Sequence, residues 1–333
     1  MQARLFDSLT ETCNLCARRC VIPNGKRGFC NVRENVSGNL LTLTYGKVTA
    51  CGLDPVEKKP LNHFLPATQT VSVSSFGCNF TCLHCQNYTL SQEFRHDAVC
   101  AEPEDIVFAA LQSGAKSISF TYNEPTVFYE FMYDVSKLAK DEGLKTAVIT
   151  NGYMTEDAIR EIAPYMDAFR VDLKAFSDSF YNSVCGGAKL SHVLDAVMLV
   201  SELKRHLELV TLIIPGLNDS KDEISSMLSW EVENLGVAVP HHFTAFTPMY
   251  EMTDIRAATR DDVDAVFRMA KEAGLYYPYV GNVMHVEGST TYCPECGERL
   301  LFRTGYVCRM PGVKDGCCAK CGRKIEGIFD FLR

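Results

Sequence analysis

Between residues 68 and 284, short β-branched runs alternate with amphipathic segments, and this alternation restricts the fold more than any other feature of the chain. VSVSSF (71–76) precedes helical periodicity near 104–112. SISFTY (117–122) precedes a helix predicted over 127–142, with Phe128, Phe131, Met132, Val135 and Leu138 on one face. KTAVITN (145–151), AFRVDLK (168–174), LELVTLIIP (207–215) and HHFTAF (241–246) are followed by helical patterns at 155–163, 191–204, 221–233 and 260–273. Thr259 and Asp262 have the spacing of a capping pair, and a last strand is predicted at 276–280. Six strand–helix units in series require parallel strands joined by crossover helices. A doubly wound sheet and a barrel both satisfy the pattern, and in both the ligands sit at the carboxyl ends of the strands. The polar residues that follow each strand are therefore the candidates for function.

Cysteine usage is the second constraint. The chain has 16 cysteines in 333 residues, and most of them fall in three groups with short internal gaps. In a reducing compartment such spacing points to metal rather than to disulfides. The sequence divides accordingly into a Cys-rich head (1–67), the alternating segment (68–284) and a Cys-containing tail (285–333). The head also contains LLTLTY followed by KVTACGL, read as a hairpin.

Directly after the first strand comes GCNFTCLHCQN, which places Cys78, Cys82 and Cys85 at x3 and x2 gaps on one loop. Structural zinc favours paired C-x2-C knuckles, and ordinary ferredoxin clusters need four cysteines. Three thiolates hold three irons of a cubane and leave the fourth iron open for a small chelating cosubstrate. The alternative is a zinc site or three cysteines buried as small apolar groups.

The x3–x2 spacing after the first strand resembles the radical S-adenosylmethionine (SAM) superfamily, and within it the pyruvate formate-lyase activating enzymes. Almost the whole chain resembles the radical enzymes of AmmeMemoRadiSam systems, through CNLCARRC, DPVEKKPLNHF, GCNFTCLHCQNY, FTYNEPT, TNGY, VDLKAF, IPGLND, YVGNV, CPECG and CAKCG in order. The resemblance implies an α/β fold with a partial (β/α)6 TIM-type barrel. It implies a 4Fe–4S cluster on Cys78, Cys82 and Cys85 that cleaves SAM reductively to a 5′-deoxyadenosyl radical. It also implies Memo-type and AMMECR-type partner proteins and an electron donor of the flavodoxin or ferredoxin type.

Strand-end residues fit a cosubstrate pocket. Asn123 and Glu124, in TYNEP, offer an amide and a carboxylate to an ammonium group. The superfamily usually has Gly-Gly-Glu-Pro here, and the first two positions are Tyr122 and Asn123. The plain alternative is a helix N-terminus with Pro125 in its first turn. Asn151, in TNG, is either a ligand contact or a turn residue. Asp172 and Lys174 alternate along VDLK and so share the inner face, either to bind a ligand carboxylate or as a structural salt bridge. His242 resembles a family histidine near the ribose, or is a core histidine. His84 takes the place of an aromatic that packs on adenine. His63 is unassigned, since a lone loop histidine is more often on the surface.

In the tail, Cys293-x2-Cys296 and Cys318-x2-Cys321 are separated by twenty-one residues, a pattern for structural zinc or a rubredoxin-like iron. Cys308 and Cys317 are left over. In the head, the uneven gaps of Cys13, Cys16, Cys20 and Cys30 suit zinc or a second iron–sulfur cluster equally. The net charge of −8 argues against a broad surface for duplex nucleic acid. No apolar run reaches the ~20 residues of a membrane span, and the opening MQARLFDSLTETC lacks the core of a signal peptide, so the chain is expected in the cytoplasm. The leading function is a radical SAM enzyme of unassigned substrate. The alternatives are a glycyl-radical activase, an RNA-modifying radical enzyme, and an iron–sulfur electron carrier without catalysis.

Overall fold

A computed structural model describes residues 1–93 and 97–329. The alternating segment forms seven parallel strands, and one antiparallel strand from the head precedes them. In chain order these are β1 (Ala50–Pro55), β2 (Gln69–Ser74), β3 (Ser117–Phe120), β4 (Lys145–Thr150), β5 (Ala168–Asp172), β6 (His206–Ile213), β7 (His241–Ala245) and β8 (Pro278–Gly281). The crossovers carry α1 (Pro103–Ser113), α2 (Tyr129–Asp141), α3 (Glu156–Ile162), α4 (Asp178–Val184), α5 (Leu190–Glu202), α6 (Lys221–Leu235) and α7 (Arg260–Glu272). Of these crossover helices periodicity missed α4, whose seven residues span barely two turns.

Spatial order settles the choice between sheet and barrel. The strands lie β1 to β8 in sequence order, with no reversal. Right-handed crossovers without a reversal put every helix on the same face, so the sheet curls around its other face. No pairing closes β8 onto β1 among the described residues, and the barrel is partial. Side-chain alternation follows this curvature. Val71, Val73, Ile118, Phe120, Val148 and Phe169 point outward into the helix layer. The inner face carries smaller and polar groups: Ser72 Oγ donates to Asp54 at 2.7 Å, and Thr70 and Ser119 bond at 2.7 Å. The expected cap is present, with Thr259 and Asp262 exchanging bonds at the start of α7.

The head hairpin is corrected. Asn39–Thr42 pairs instead with Arg33–Val36, and residues 50–55 leave it to pair with β2. Both runs have strand character, but the unpaired edge of the parallel sheet offers the second run a longer ladder than its neighbour does.

The amino end of the barrel is plugged. Val56, Leu61, Phe64 and Leu65 pack on Ala147, Ile149 and Ala168, with Ile328 of the tail beside them. His63 is in this plug and fully buried, not on the surface. Its Nε2 bonds Tyr279 Oη at 2.7 Å and its Nδ1 bonds the Glu326 carbonyl oxygen at 2.5 Å. Burial pushes its pKa down to about 4, so it is neutral at pH 7.

Candidate active site and metal centres

Cys78, Cys82 and Cys85 occupy the loop that leaves β2 and line a cavity of about 400 Å³ at the carboxyl end of the barrel. Gly77 brings this loop against the head. Its φ is +86°, and a Cβ there would stand 2.8 Å from Val32 Cγ1 and 3.2 Å from the Cys30 carbonyl oxygen, so only glycine fits. Arg18, inside the first cysteine motif, fastens the same loop: its Nε donates to the Asn79 carbonyl oxygen at 2.9 Å. The Phe80 N–H points at Cys78 Sγ from 3.3 Å, a contact that favours the thiolate.

The loop shows an observable vacancy of partners. His84 Nδ1 and Asn79 Nδ2 are buried without a hydrogen-bond partner. Three thiols, a neutral imidazole edge and a cation on one cavity wall match the donor set that an iron–sulfur cluster and its cosubstrate require. Burial, then the charge of Lys174, pushes the His84 pKa down to about 3.

Asp172 and Lys174 come together as their alternation predicted, with Lys174 Nζ to Asp172 Oδ2 at 3.2 Å. Arg170, two residues earlier on the same face, binds the other Asp172 oxygen. The strand alternation that marks Asp172 and Lys174 marks Arg170 as well. Burial opposes the charged forms, yet Arg170 and then Lys174 hold the Asp172 pKa below the usual carboxylate range, and Asp172 holds the Lys174 pKa well above its own. Arg170 Nε remains without a partner in the cavity wall.

Three residues expected as ligand contacts, Glu124, Asn123 and His242, form hydrogen bonds within the fold. Glu124 lines the cavity, and its carboxylate also bonds within the fold. Oε1 accepts from Thr126 N at 3.0 Å, Thr126 Oγ1 at 2.6 Å and Thr150 Oγ1 at 2.7 Å, and Oε2 accepts from Asn151 N at 2.8 Å. The side chain caps the turn that follows and faces the cavity at once. Asn123 accepts from Ser75 N at 3.0 Å and donates to the Gly77 carbonyl oxygen at 3.1 Å, which makes it a brace for the cysteine loop. His242 does not line the cavity. It sits lower in the barrel, where its Nε2 bonds Glu208 at 2.7 Å. Asn151 shapes the turn, with Oδ1 accepting from Tyr153 N at 3.0 Å, and it lines the cavity while its Nδ2 donates to Asn79 Oδ1 at 2.7 Å.

The segment DPVEKKP supplies residues that sequence reasoning did not assign. Lys58 and Lys59 line the cavity, and both bind Asp54. Burial drops the Lys59 pKa to about 8 against the pull of Asp54. Tyr122 also donates to Asp54, at 2.5 Å. Its φ of 72° explains why the superfamily places glycine there, since a bulky residue in this region is strained.

Comparison with known proteins agrees with this geometry. Residues 72–228 match the family model described as the Radical SAM superfamily. The chain is 40% identical to an uncharacterized protein of Methanocaldococcus jannaschii, over 98% of this chain and 99% of that one. The chain belongs to the radical SAM superfamily. It is also 26% identical to a putative glycyl-radical enzyme activating enzyme of M. jannaschii, over 62% of this chain and 77% of that one. In fold it is similar to a radical SAM methyltransferase from Sphaerobacter thermophilus, with a TM-score of 0.51, 16% identity and 71% of each chain covered. Among the described residues no helix is long and apolar enough to cross a membrane.

In this radical SAM chain the two flanking cysteine groups differ in spacing. The sulfurs of Cys293, Cys296, Cys318 and Cys321 all lie within 4.8 Å of one another, with Cys293–Cys321 at 3.6 Å and Cys296–Cys318 at 3.7 Å. A tetrahedron of Zn–S bonds of about 2.3 Å has S···S edges of roughly 3.8 Å, so the set fits one zinc or one iron. The knuckles form because Gly297 and Gly322 follow each pair at φ 71° and 79°, and their N–H groups bond back to Cys293 and Cys318. Cys308 and Cys317 stay outside the set. Cys13, Cys16, Cys20 and Cys30 line a common cavity with Arg33, but form no such tight group.

Proposed function

We propose that the chain is a radical SAM enzyme that abstracts hydrogen from a substrate held in the cavity above Cys78, Cys82 and Cys85. The observation that carries this reading is the meeting of three loop thiols with Lys174, Asp172 and Arg170 around one cavity at the carboxyl end of the barrel. When bound, the cluster supplies the electron that breaks a sulfur–carbon bond of SAM and yields a 5′-deoxyadenosyl radical. The protein's part is to hold and exclude. Lys174 and Arg170 offer cations to a carboxylate, with Asp172 fixing their positions. His84, neutral, offers an aromatic edge and an unpaired ring nitrogen. Lys58, Pro60 and Tyr306 form the cavity wall contributed by head and tail, and they limit water around a reactive carbon radical. Memo-type and AMMECR-type partners belong to this proposal through the ordered motifs alone. A glycyl-radical activase is the second reading, supported by similarity to the putative activating enzyme of M. jannaschii.

The test is anaerobic reconstitution with iron and sulfide, followed by SAM and dithionite. We expect 5′-deoxyadenosine from the wild type and none from Cys82→Ala. An intact cluster without product overturns the radical reading, and product from Cys82→Ala overturns the site. Deuterium carried from a labelled partner protein into 5′-deoxyadenosine would favour the activase.

A further inference from the structure

We infer that Cys13, Cys16, Cys20 and Cys30 hold a second iron–sulfur cluster, which passes electrons to the cluster on Cys78, Cys82 and Cys85. The relay step rests on the function proposed above, whereas the head cluster does not.

Spacing carries the choice of metal. The four tail sulfurs form a group small enough for a single ion, and neither the head cysteines nor the Cys78 loop form one. The tail set is two C-x2-C knuckles, whereas the x2, x3 and x9 gaps of the head set depart from that pairing, as the x3 and x2 gaps of the Cys78 loop do. The cavity between the four head cysteines is walled by Leu15, Ile22 and Phe29, the apolar surroundings that suit a cluster. Arg33 is 1% exposed and its Nη1 lies 3.7 Å from Cys13 Sγ, while the Phe29 N–H lies 3.4 Å from Cys20 Sγ. Both are donors aimed at sulfur, a kind of contact that sets cluster potential.

Position carries the relay. Asn79 lines the head cavity and is covalently next to Cys78. Arg18 lies between Cys16 and Cys20 and bonds the Asn79 backbone at 2.9 Å. Gly77, on the other side of Cys78, packs on the Cys30 carbonyl. Two cysteine sites are therefore joined through a single layer of residues. The head also has an entry side. Residues 14–32 contain Arg18, Arg19, Lys26 and Arg27 and no acidic residue, although Arg27 pairs with Glu34, in a chain of net charge −8. Arg19 and Lys26 are exposed, which suits a one-electron donor protein with an acidic surface. One electron enters from that donor, resides on the head cluster and moves to the cluster on the Cys78 loop. There it is consumed as the sulfur–carbon bond of SAM breaks, giving methionine and the carbon radical.

The test uses the full chain, anaerobically loaded with iron and sulfide, and its Cys78→Ala/Cys82→Ala/Cys85→Ala variant. We expect the triple variant to keep a reducible iron–sulfur electron paramagnetic resonance signal that SAM does not alter. Zinc in place of that signal overturns the head cluster, whatever the wild type does with SAM. For the relay, reduced flavodoxin is mixed with wild type and the signals are followed in time. The SAM-insensitive signal should appear first and the SAM-sensitive one second, and the reverse order overturns the relay. Cys16→Ser/Cys20→Ser should lose flavodoxin-driven but not dithionite-driven reduction of the SAM-sensitive cluster, and equal rates with both reductants overturn the relay. Should that variant fail to fold, Arg19→Glu/Lys26→Glu leaves the cysteines intact. It should slow reduction by flavodoxin about tenfold at low salt, and an unchanged rate overturns the entry side.

Discussion

Replacing Glu208 by glutamine removes the centre of the barrel's internal polar network. Glu208 is fully buried on β6. Oε2 accepts from Asn62 N at 2.9 Å and His242 Nε2 at 2.7 Å, and Oε1 accepts from His63 N at 2.8 Å and His206 Nε2 at 2.9 Å. Each oxygen thus takes one backbone N–H of the plug and one imidazole. These donors outweigh the burial penalty and hold the carboxylate pKa well below its usual range. A glutamine amide nitrogen in place of either oxygen faces a backbone N–H that cannot turn away. The imidazole beside it can change tautomer and accept. The loss is one orphaned N–H, about 1–3 kcal/mol, plus the charge assistance on the remaining bonds, for a total of about 3–5 kcal/mol. With about 2.1 cal/mol/K of unfolding entropy per residue, a chain of 333 residues should melt roughly 4–7 °C lower. The assay is thermal unfolding followed by circular dichroism on anaerobic protein at pH 7. A melting temperature within about 1 °C of wild type refutes the network account.

Acid should weaken the same region by a separate route. The pKa values of His63 and His242 are lowered by burial in the folded chain, so the unfolded chain takes up protons first as pH falls. Stability is full above about 6.5 and declines towards the folded values. His63, at about 4, accounts for about 2 kcal/mol of loss by pH 5. Melting temperatures that stay flat from pH 7 to 5 contradict this. Arg170→Met removes the partner of one Asp172 oxygen and should slow SAM cleavage about tenfold or more, with iron content unchanged; wild-type rates would show that Arg170 has no part in the site. Cys296→Ser should release one metal ion per chain and expose residues 290–329 to protease while the barrel resists, and retained metal would rule out Cys296 as a ligand.

The chain's chemistry was legible wherever it rests on local spacing. The gaps among Cys78, Cys82 and Cys85 follow from the size of one loop, and the tail knuckles from C-x2-C-G turns. The strand–helix alternation follows from which faces must be apolar. Even Arg170 was legible, since it shares the alternation that marked Asp172 and Lys174.

What needed the tertiary structure depends on partners far apart in sequence. The carboxylate of Glu124 faces the cavity and is also held by Thr126, Thr150 and Asn151, which are distant or unmarked in the sequence pattern. His242 was read as a ribose contact and is bound to Glu208 beneath the cavity. His63 is sealed in by Tyr279 and the tail. A side chain's donors and acceptors are spent on whatever the fold brings within reach, and a strand position fixes the face but not the depth or the neighbour. The sequence alone therefore determined which residues have the chemistry. The curling of the sheet decided which partners each of them meets.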